Sequence, residues 1–519
     1  MKRTRVIALA VTAALAVAVS GCGGGGSSPG SLEELTVAYP QEPSNLDPVV
    51  STEVPATEPM RNVFETLITQ NEKGEPTPML AESFEQSKDN KEVTFKLRDG
   101  VKFHDGSVMD ADDVVASMQR WLENSSAAQY SFKDATFEKK SDTEVVLKLK
   151  TPNSAASLVL SYGESSIPLI TTKENAEAAS STPMKDNIGT GPFTFDAWNK
   201  GENLKLERFD DYTPAEGEAD GLAGDRTAGF SKLTYEFTPD PSTQIAGLQS
   251  GKYDVAETVP YDNYEQLSAD SNLVLDQTDK VSLPNLYFNK KEGLFADVDA
   301  RKALSVGLDR EAILKSAYSD KKFYEVANGC MMPQALANQW PCADSNRPQT
   351  VDTDEAKKLL KKAGYDGESV RIITSRDSGR AYQASTVLQQ QLKALGMDAK
   401  LENYDYATLN SKRDESSSWE LIVINNIAKV EPLQQFYIPE DNPGWTDPKP
   451  LESIINDYQS ADSVEDQQNV YSGEMQEWFE SYIPVVNIGS AAEIYATSKD
   501  VQGITAQGGS LVLWKATAK

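Results

Sequence analysis

Beyond residue 31 the chain alternates between two hydrophobic periods, one close to two residues and one close to 3.6. Leu35, Val37 and Tyr39 predict an opening strand that runs into a proline-punctuated loop over 40–48. Residues 60–67 predict a helix with Val63, Phe64 and Leu67 on one side. Residues 93–98 alternate cleanly, Asp99-Gly100 follows, and 101–103 resumes the alternation, which predicts a β-hairpin. His104-Asp105-Gly106 reads as the next turn. Asp110 is placed to cap a helix from Ala111, with Asp113 in the capping-box position and Val114, Val115, Met118, Trp121 and Leu122 as its apolar face. Strands follow at 145–149, 193–195, 204–207 and 253–255, with a short helix over 244–249.

After about residue 285 the texture changes. Helices are predicted over 301–314, 354–363 and 381–395, with strands at 370–374, 399–401 and 419–424. Crossovers of that length imply parallel pairing in right-handed strand–helix–strand units. Two further helices are expected within 452–482, and 484–488 reads as a strand returning to the first part. The chain thus leaves one α/β body near 285 and re-enters it near 487. Two such crossings make a hinge, and two bodies facing a cleft form a ligand-trapping geometry.

The first thirty residues carry an address. Lys2, Arg3 and Arg5 precede an apolar run over 6–19, too short to span a bilayer comfortably, and then Ser20-Gly21-Cys22. This resembles a bacterial lipobox and implies cleavage before Cys22 and lipidation of its thiol. Residues 22–31, rich in Gly and Ser, read as a flexible tether. The expected organisation is a signal peptide at 1–21, the tether at 22–31, a first lobe from 32–285 plus 487–519 with a subdomain near 75–185, and a second lobe at 286–486. Outside the cytoplasm disulfides persist, so Cys330 and Cys342, in a loop with Pro333 and Pro341, are expected to be bridged. Their spacing is not the CxxC of a redox pair.

Composition narrows the chemistry. Apolar residues are 39% and charged residues 25%, as in ordinary globular proteins. Acids number 79 against 50 bases, a net charge of −29 that repels a phosphate backbone, so no nucleic-acid partner is expected. One histidine, His104, excludes multi-His metal centres, and neither metal nor cofactor is expected. Its place after a predicted hairpin favours a turn role over catalysis. Asp112 and Asp113 sit in a first helical turn, where the macrodipole favours negative charge, and are not read as a catalytic acid pair.

A series of segments then falls into one order along the chain. It comprises Glu42-Pro43-Ser44-Asn45-Leu46-Asp47-Pro48; Pro78-Met79-Leu80-Ala81-Glu82-Ser83-Phe84; and Leu97-Arg98-Asp99-Gly100-Val101-Lys102-Phe103-His104-Asp105-Gly106 with Ala111-Asp112-Asp113-Val114. Gly189-Thr190-Gly191-Pro192-Phe193, Leu248-Gln249-Ser250-Gly251-Lys252-Tyr253-Asp254, Tyr287-Phe288-Asn289, Arg301-Lys302-Ala303-Leu304 and 356–365 complete it. Together they resemble the family 5 extracytoplasmic solute-binding proteins of ABC importers, among them the oligopeptide- and dipeptide-binding relatives.

The resemblance implies an α/β, two-lobed Venus-flytrap fold of the type II periplasmic-binding-protein kind, with an extra subdomain in the first lobe. It implies a protein that is no enzyme and that hands a solute, expected to be a peptide, to a membrane permease. A monomer held to the membrane by its N-terminal lipid alone is expected. In the peptide-binding relatives an acid after the strand equivalent to 419–424 pairs with the peptide ammonium. Here Glu431-Pro432 matches the family Asp-Pro, but Ala428 stands where that acid would be, with Lys429 beside it. A lysine there disfavours an ammonium and favours a carboxylate or another acceptor. Glu53, Val54 and Thr57, before the first helix, are candidate contacts, as are Asn425 and Asn426 at the end of a core strand and the aromatic faces of Tyr437 and Trp445. A non-peptide solute, such as an oligosaccharide or a metal chelate, is the alternative. A secreted hydrolase using paired carboxylates is the remote one.

Overall fold

The computed structural model describes residues 32–51, 53–163, 166–342, 350–376, 378–429 and 431–519. The expected signal peptide, the lipidation site Cys22 and the tether lie outside the described residues.

Three sheets organise the chain. In the first, seven strands run in the order Leu273–Gln277, Ile494–Ser498, Val255–Ala256, Glu34–Tyr39, Lys232–Phe237, Asn203–Arg208, Phe193–Asn199. Glu34–Tyr39 pairs in parallel with Lys232–Phe237 and with Val255–Ala256. An antiparallel sheet, Ala81–Gln86, Glu92–Leu97, Glu144–Lys148, Thr136–Ser141, joins the first body's core. The second large sheet contains Tyr324–Val326, Gly489–Ala491, Ser282–Phe288, Leu421–Ile427, Ser369–Ser375 and Asp398–Tyr404, with Val485–Asn487 also on Ser282–Phe288. Ser369–Ser375 is parallel to both Asp398–Tyr404 and Leu421–Ile427, as the strand–helix–strand spacing predicts.

The apolar runs of this second sheet follow from burial on both faces. Leu286, Phe288, Ile372 and Val423 enter one core, while Tyr287, Ile373 and Ile422 enter the opposite one. Consecutive strand residues point to opposite faces, so a sheet covered on both sides needs apolar residues at every position.

Four sequence expectations are corrected. No hairpin closes across Asp99-Gly100. Both edges of Glu92–Leu97 are taken by Ala81–Gln86 and Glu144–Lys148, so 101–103 keeps only the bridge Lys102–Val108. The first helix is Val54–Met60 rather than 60–67, because Pro55 is favourable only in a first helical turn and the chain must turn into the strand Ile68–Gln70. The helix expected over 301–314 is two, Val298–Gly307 and Arg310–Tyr318, because Asp309 caps the second through Ala312 N. Finally, 485–487 pairs in the second sheet, and the strand that returns to the first is Ile494–Ser498. The crossings therefore fall at 278–281 and 492–493, not near 285 and 487.

The Asp110 cap forms as expected, with Asp112 N and Asp113 N donating to its carboxylate and Asp113 accepting from Asp110 N. The helix it starts, Ala111–Asn124, carries Arg120 into a buried ion pair with Asp47. Val49 N and Met184 N also donate to that carboxylate. The proline-rich loop around Asp47 is thereby fixed to the body of the protein. Cys330 and Cys342 are bridged, and Trp340 and Met331 within their loop enter a core of the second body.

Candidate functional site

The C-terminal edges of the parallel strands are where an open α/β sheet places ligands, because the strand ends and the loops after them leave a crevice there. In the first body that edge is made by Tyr39, Phe237 and Ala256. In the second it is made by Ser375, Tyr404 and Ile427.

Both crossing segments lie between the bodies and are bonded to each other, Thr278 N to the Glu493 carbonyl at 2.9 Å and Glu493 N to Thr278 Oγ1 at 3.0 Å. Arg380, in the first turn of Gly379–Ala394, ion-pairs with Glu493. Tyr261 of the first body donates to the Ala492 carbonyl at 2.6 Å. The hinge therefore has a charged anchor on the second body and a hydroxyl anchor on the first.

On the first wall, Glu53 is exposed and N-terminal to the helix Val54–Met60; its carboxylate accepts from Ser44 N at 3.4 Å. Val54 is half-buried, and its carbonyl accepts from the Tyr39 hydroxyl at 3.4 Å. Thr57 is fully buried, with its hydroxyl donating to the Glu53 carbonyl at 3.3 Å, so it stiffens the turn. One turn on, Glu58 accepts from Leu511 N at 3.2 Å, and Arg61 donates to the Leu511 carbonyl. These bonds fasten the hairpin Thr505–Gln507/Ser510–Val512 to the wall. Glu257, just past Val255–Ala256, faces Glu58. Burial, and then the neighbouring Glu58 charge, hold the Glu257 carboxyl well above the usual carboxylate range.

The second wall is the end of Leu421–Ile427. Asn425 and Asn426 are half-buried there, and Asn426 Oδ1 accepts from the Tyr287 hydroxyl at 2.6 Å. Ala428 is buried; its carbonyl accepts from the hydroxyl of Tyr162, which belongs to the first body, at 3.2 Å. Lys429 Nζ lies 5.7 Å from the centre of the same Tyr162 ring. Ile427 also approaches Gly509 at the tip of the hairpin from the first wall. Further along the rim, Asn90 donates to the Ala461 carbonyl, Ser154 to the Ser463 carbonyl and Gln339 to the Gly74 carbonyl. The two bodies thus meet at these contacts.

Glu431 is buried behind this edge, facing Tyr458 of the second body and Ser131 of the first. Burial pushes its carboxyl up to about 7, against the opposing effect of those two hydroxyls.

The structure brings Asn425, Asn426 and Lys429 to one strand end and sets Glu53 and Val54 on the first body's wall. It places Tyr437 and Trp445 elsewhere. Tyr437 is buried against Tyr287 and Phe479, and Trp445 packs at a tilt against Trp419, ahead of the opposite end of Leu421–Ile427. Tyr162, Glu257, Arg380 and Glu493 were not found by sequence reasoning. Each acts through a contact more than one hundred residues away in the chain, and no local spacing announces it.

His104 is a tie between two of the ordered segments. Its Nδ1 accepts from Gly189 N at 3.2 Å, and its Nε2 bonds the Gly191 carbonyl at 3.0 Å, so the ring is neutral with its proton on Nε2. A Cβ on either glycine would strike the backbone of Asn62 or Val63, and that close approach requires Gly at both positions. Burial lowers the imidazole pKa.

Known proteins resemble this chain over most of its length. Residues 75–446 match the family described as bacterial extracellular solute-binding proteins, family 5 Middle. A probable peptide ABC transporter periplasmic-binding protein, y4tO of Sinorhizobium fredii, is 27% identical over 491 residues, covering 91% of this chain and 90% of that protein. The oligopeptide-binding protein AppA of Bacillus subtilis is 26% identical over 450 residues, covering 79% and 78%. The solved structure of AgaA from A. tumefaciens R10 with agropinic acid superposes with a TM-score of 0.79 at 23% identity, covering 94% of this chain and 99% of that one.

Proposed function

The chain belongs to the bacterial extracellular solute-binding proteins of family 5, and from that premise we propose that it is the substrate-capturing component of an ABC importer for a peptide or peptide-like solute. The observation that carries the proposal is that two bodies, each with a parallel-strand edge, are joined by two mutually bonded crossings. Such a hinge lets two rigid bodies close on a solute without any bond being made or broken. Relatives named for peptides and oligopeptides support the solute class.

In this reading the first lobe is the body around Glu34–Tyr39, with its antiparallel subdomain, and the second is the body around Leu421–Ile427. Glu53, Val54, Asn425, Asn426 and Lys429 line the solute site. Lys429 stands at the strand end where the peptide-binding relatives present an acid to an ammonium. The solute therefore offers a carboxylate or another acceptor there, and a free α-amino group is not what this end of the site reads. The N-terminal signal peptide and tether fit the same role: Cys22 anchors a monomer to the outer face of the membrane, and 22–31 is its leash.

Thermal unfolding against matched free and N-acetylated peptides, oligosaccharides and metal chelates tests this. Binding raises the transition by RT ln(1 + [L]/Kd), and the solute is recovered intact. Acetylation of the peptide leaves the shift in place. Shifts with sugars or chelates alone would replace the peptide class, and turnover of a solute would replace the binding role.

A further inference from the structure

A pocket of about 280 Å³ opens in the second body, and none of the cleft residues named above lines it. Its walls are the end of Val298–Gly307, the start of Arg310–Tyr318, the residues after Tyr324–Val326 and the strand Val485–Asn487. Arg310 lies in it. Among the described residues the guanidinium donates only to Ser305, from Nη2 to its carbonyl at 3.2 Å and to its Oγ at 3.3 Å. Its Nε is enclosed and has no acceptor. No carboxylate among the described residues pairs with it. Burial lowers its pKa to about 10, which leaves it charged at neutral pH. Arg310 as a whole is half-buried; a partly desolvated charge with no counter-ion among the described residues is costly, and a guanidinium fork is shaped for a carboxylate.

Three other features define what would fit. Asn487 also lines the pocket; its Nδ2 donates to the Cys330 carbonyl at 3.3 Å, and its Oδ1 has no donor. Lys302 is exposed at the rim and makes no ion pair among the described residues, while Glu480, also lining the pocket, holds Gln476 Nε2 at 3.0 Å. The remaining wall is apolar, with Val306, Phe479 and Val486. One half-buried cation, an acid nearby and an apolar wall favour a monoanion with a hydrocarbon body over a phosphate dianion.

We propose that this pocket is a second ligand site that takes a small carboxylic acid with an apolar body and a hydrogen-bond donor, its carboxylate on Arg310, its donor on Asn487 and its body against Val306 and Phe479. The site is independent of the solute cleft and of what the cleft carries.

Titration calorimetry with 2-hydroxy-4-methylpentanoate as probe tests it on the full folded chain, beside Arg310→Gln and Lys302→Glu variants and with inorganic phosphate as the competing anion. The wild type is expected to bind one equivalent saturably. Arg310→Gln weakens binding about tenfold or more, as loss of a charge-assisted bidentate pair does. Lys302→Glu, at an exposed position that leaves the fold intact, weakens it severalfold, and phosphate does not compete. If Arg310→Gln does not fold, Lys302→Glu decides. No saturable binding to the wild type, binding unchanged in the variants that fold, or equal competition by phosphate would each overturn the proposal.

Discussion

The Tyr162 hydroxyl donates to the carbonyl of Ala428 at 3.2 Å, tying the subdomain of the first body to the end of the central strand of the second. The same ring lies under the Lys429 ammonium. One aromatic side chain of the first body therefore contacts both Ala428 and Lys429 at that strand end. Tyr162→Phe keeps the ring and removes the bond. Its net loss of about 1 kcal/mol is expected to weaken solute binding about fivefold in calorimetry, because it removes a bond that joins the two bodies beside the candidate site.

The Cys330–Cys342 bridge closes a loop whose Trp340 and Met331 are core residues. Reduction is expected to lower stability by about 3 kcal/mol in the chain-entropy account of a loop of this length. Denaturant melts with and without reductant, read by tryptophan fluorescence, measure it. A midpoint that does not move would show that packing alone holds the loop.

His104 is the chain's single imidazole, so its titration can be followed without ambiguity. Burial lowers its pKa below the ordinary value, and protonating Nδ1 would break the bond from Gly189 N. A group with a depressed cationic pKa stabilises the fold above its unfolded pKa, and the contribution is lost as pH falls through about 6.5. Stability should therefore decline on the acid side of neutrality, and the NMR pKa of the ring should lie below 6.5. His104→Gln should flatten that limb.

Glu431 acts in the opposite sense. Its carboxyl is raised to about 7, so between the ordinary carboxylate pKa and 7 the folded chain binds more protons than the unfolded one. Stability contributed by the neutral acid is present at low pH and is lost as pH rises through that window, by an amount of order 3 kcal/mol at full burial. Glu431→Gln keeps the neutral shape and should remove this dependence. Melting midpoints of both proteins from pH 5 to pH 8 test it; parallel curves would contradict it.

Much of the architecture was legible because it rests on local pattern. The Asp110 capping box, the 3.6-residue periodicity of Ala111–Asn124 and the strand–helix–strand run over 369–404 are short-range signals that the folded chain keeps. The failures share a cause. The alternation at 93–103 predicted pairing with its own neighbour, but Glu92–Leu97 found partners at 81–86 and 144–148, and sequence period does not say which edge a strand will use. The returning strand was misplaced because 485–487 and 494–498 are both short and apolar, and only the register with Ser282–Phe288 separates them.

The candidate site was legible only as strand ends. Asn425, Asn426 and Lys429 follow an apolar run and could be placed at a sheet edge. Tyr437 and Trp445 were selected for their aromatic faces, and aromatic faces serve cores as readily as clefts. Tyr162 and Arg380 had no local mark at all, since their contacts are set by how two bodies dock.

Native mass spectrometry of the folded protein, mixed with free and N-acetylated di- to pentapeptides, tests the central claim most directly. One intact peptide per chain is expected, retained whether or not the α-amine is blocked and released unchanged on unfolding. A chain that takes up no peptide at saturating concentration, or one that releases cleaved products, would contradict it.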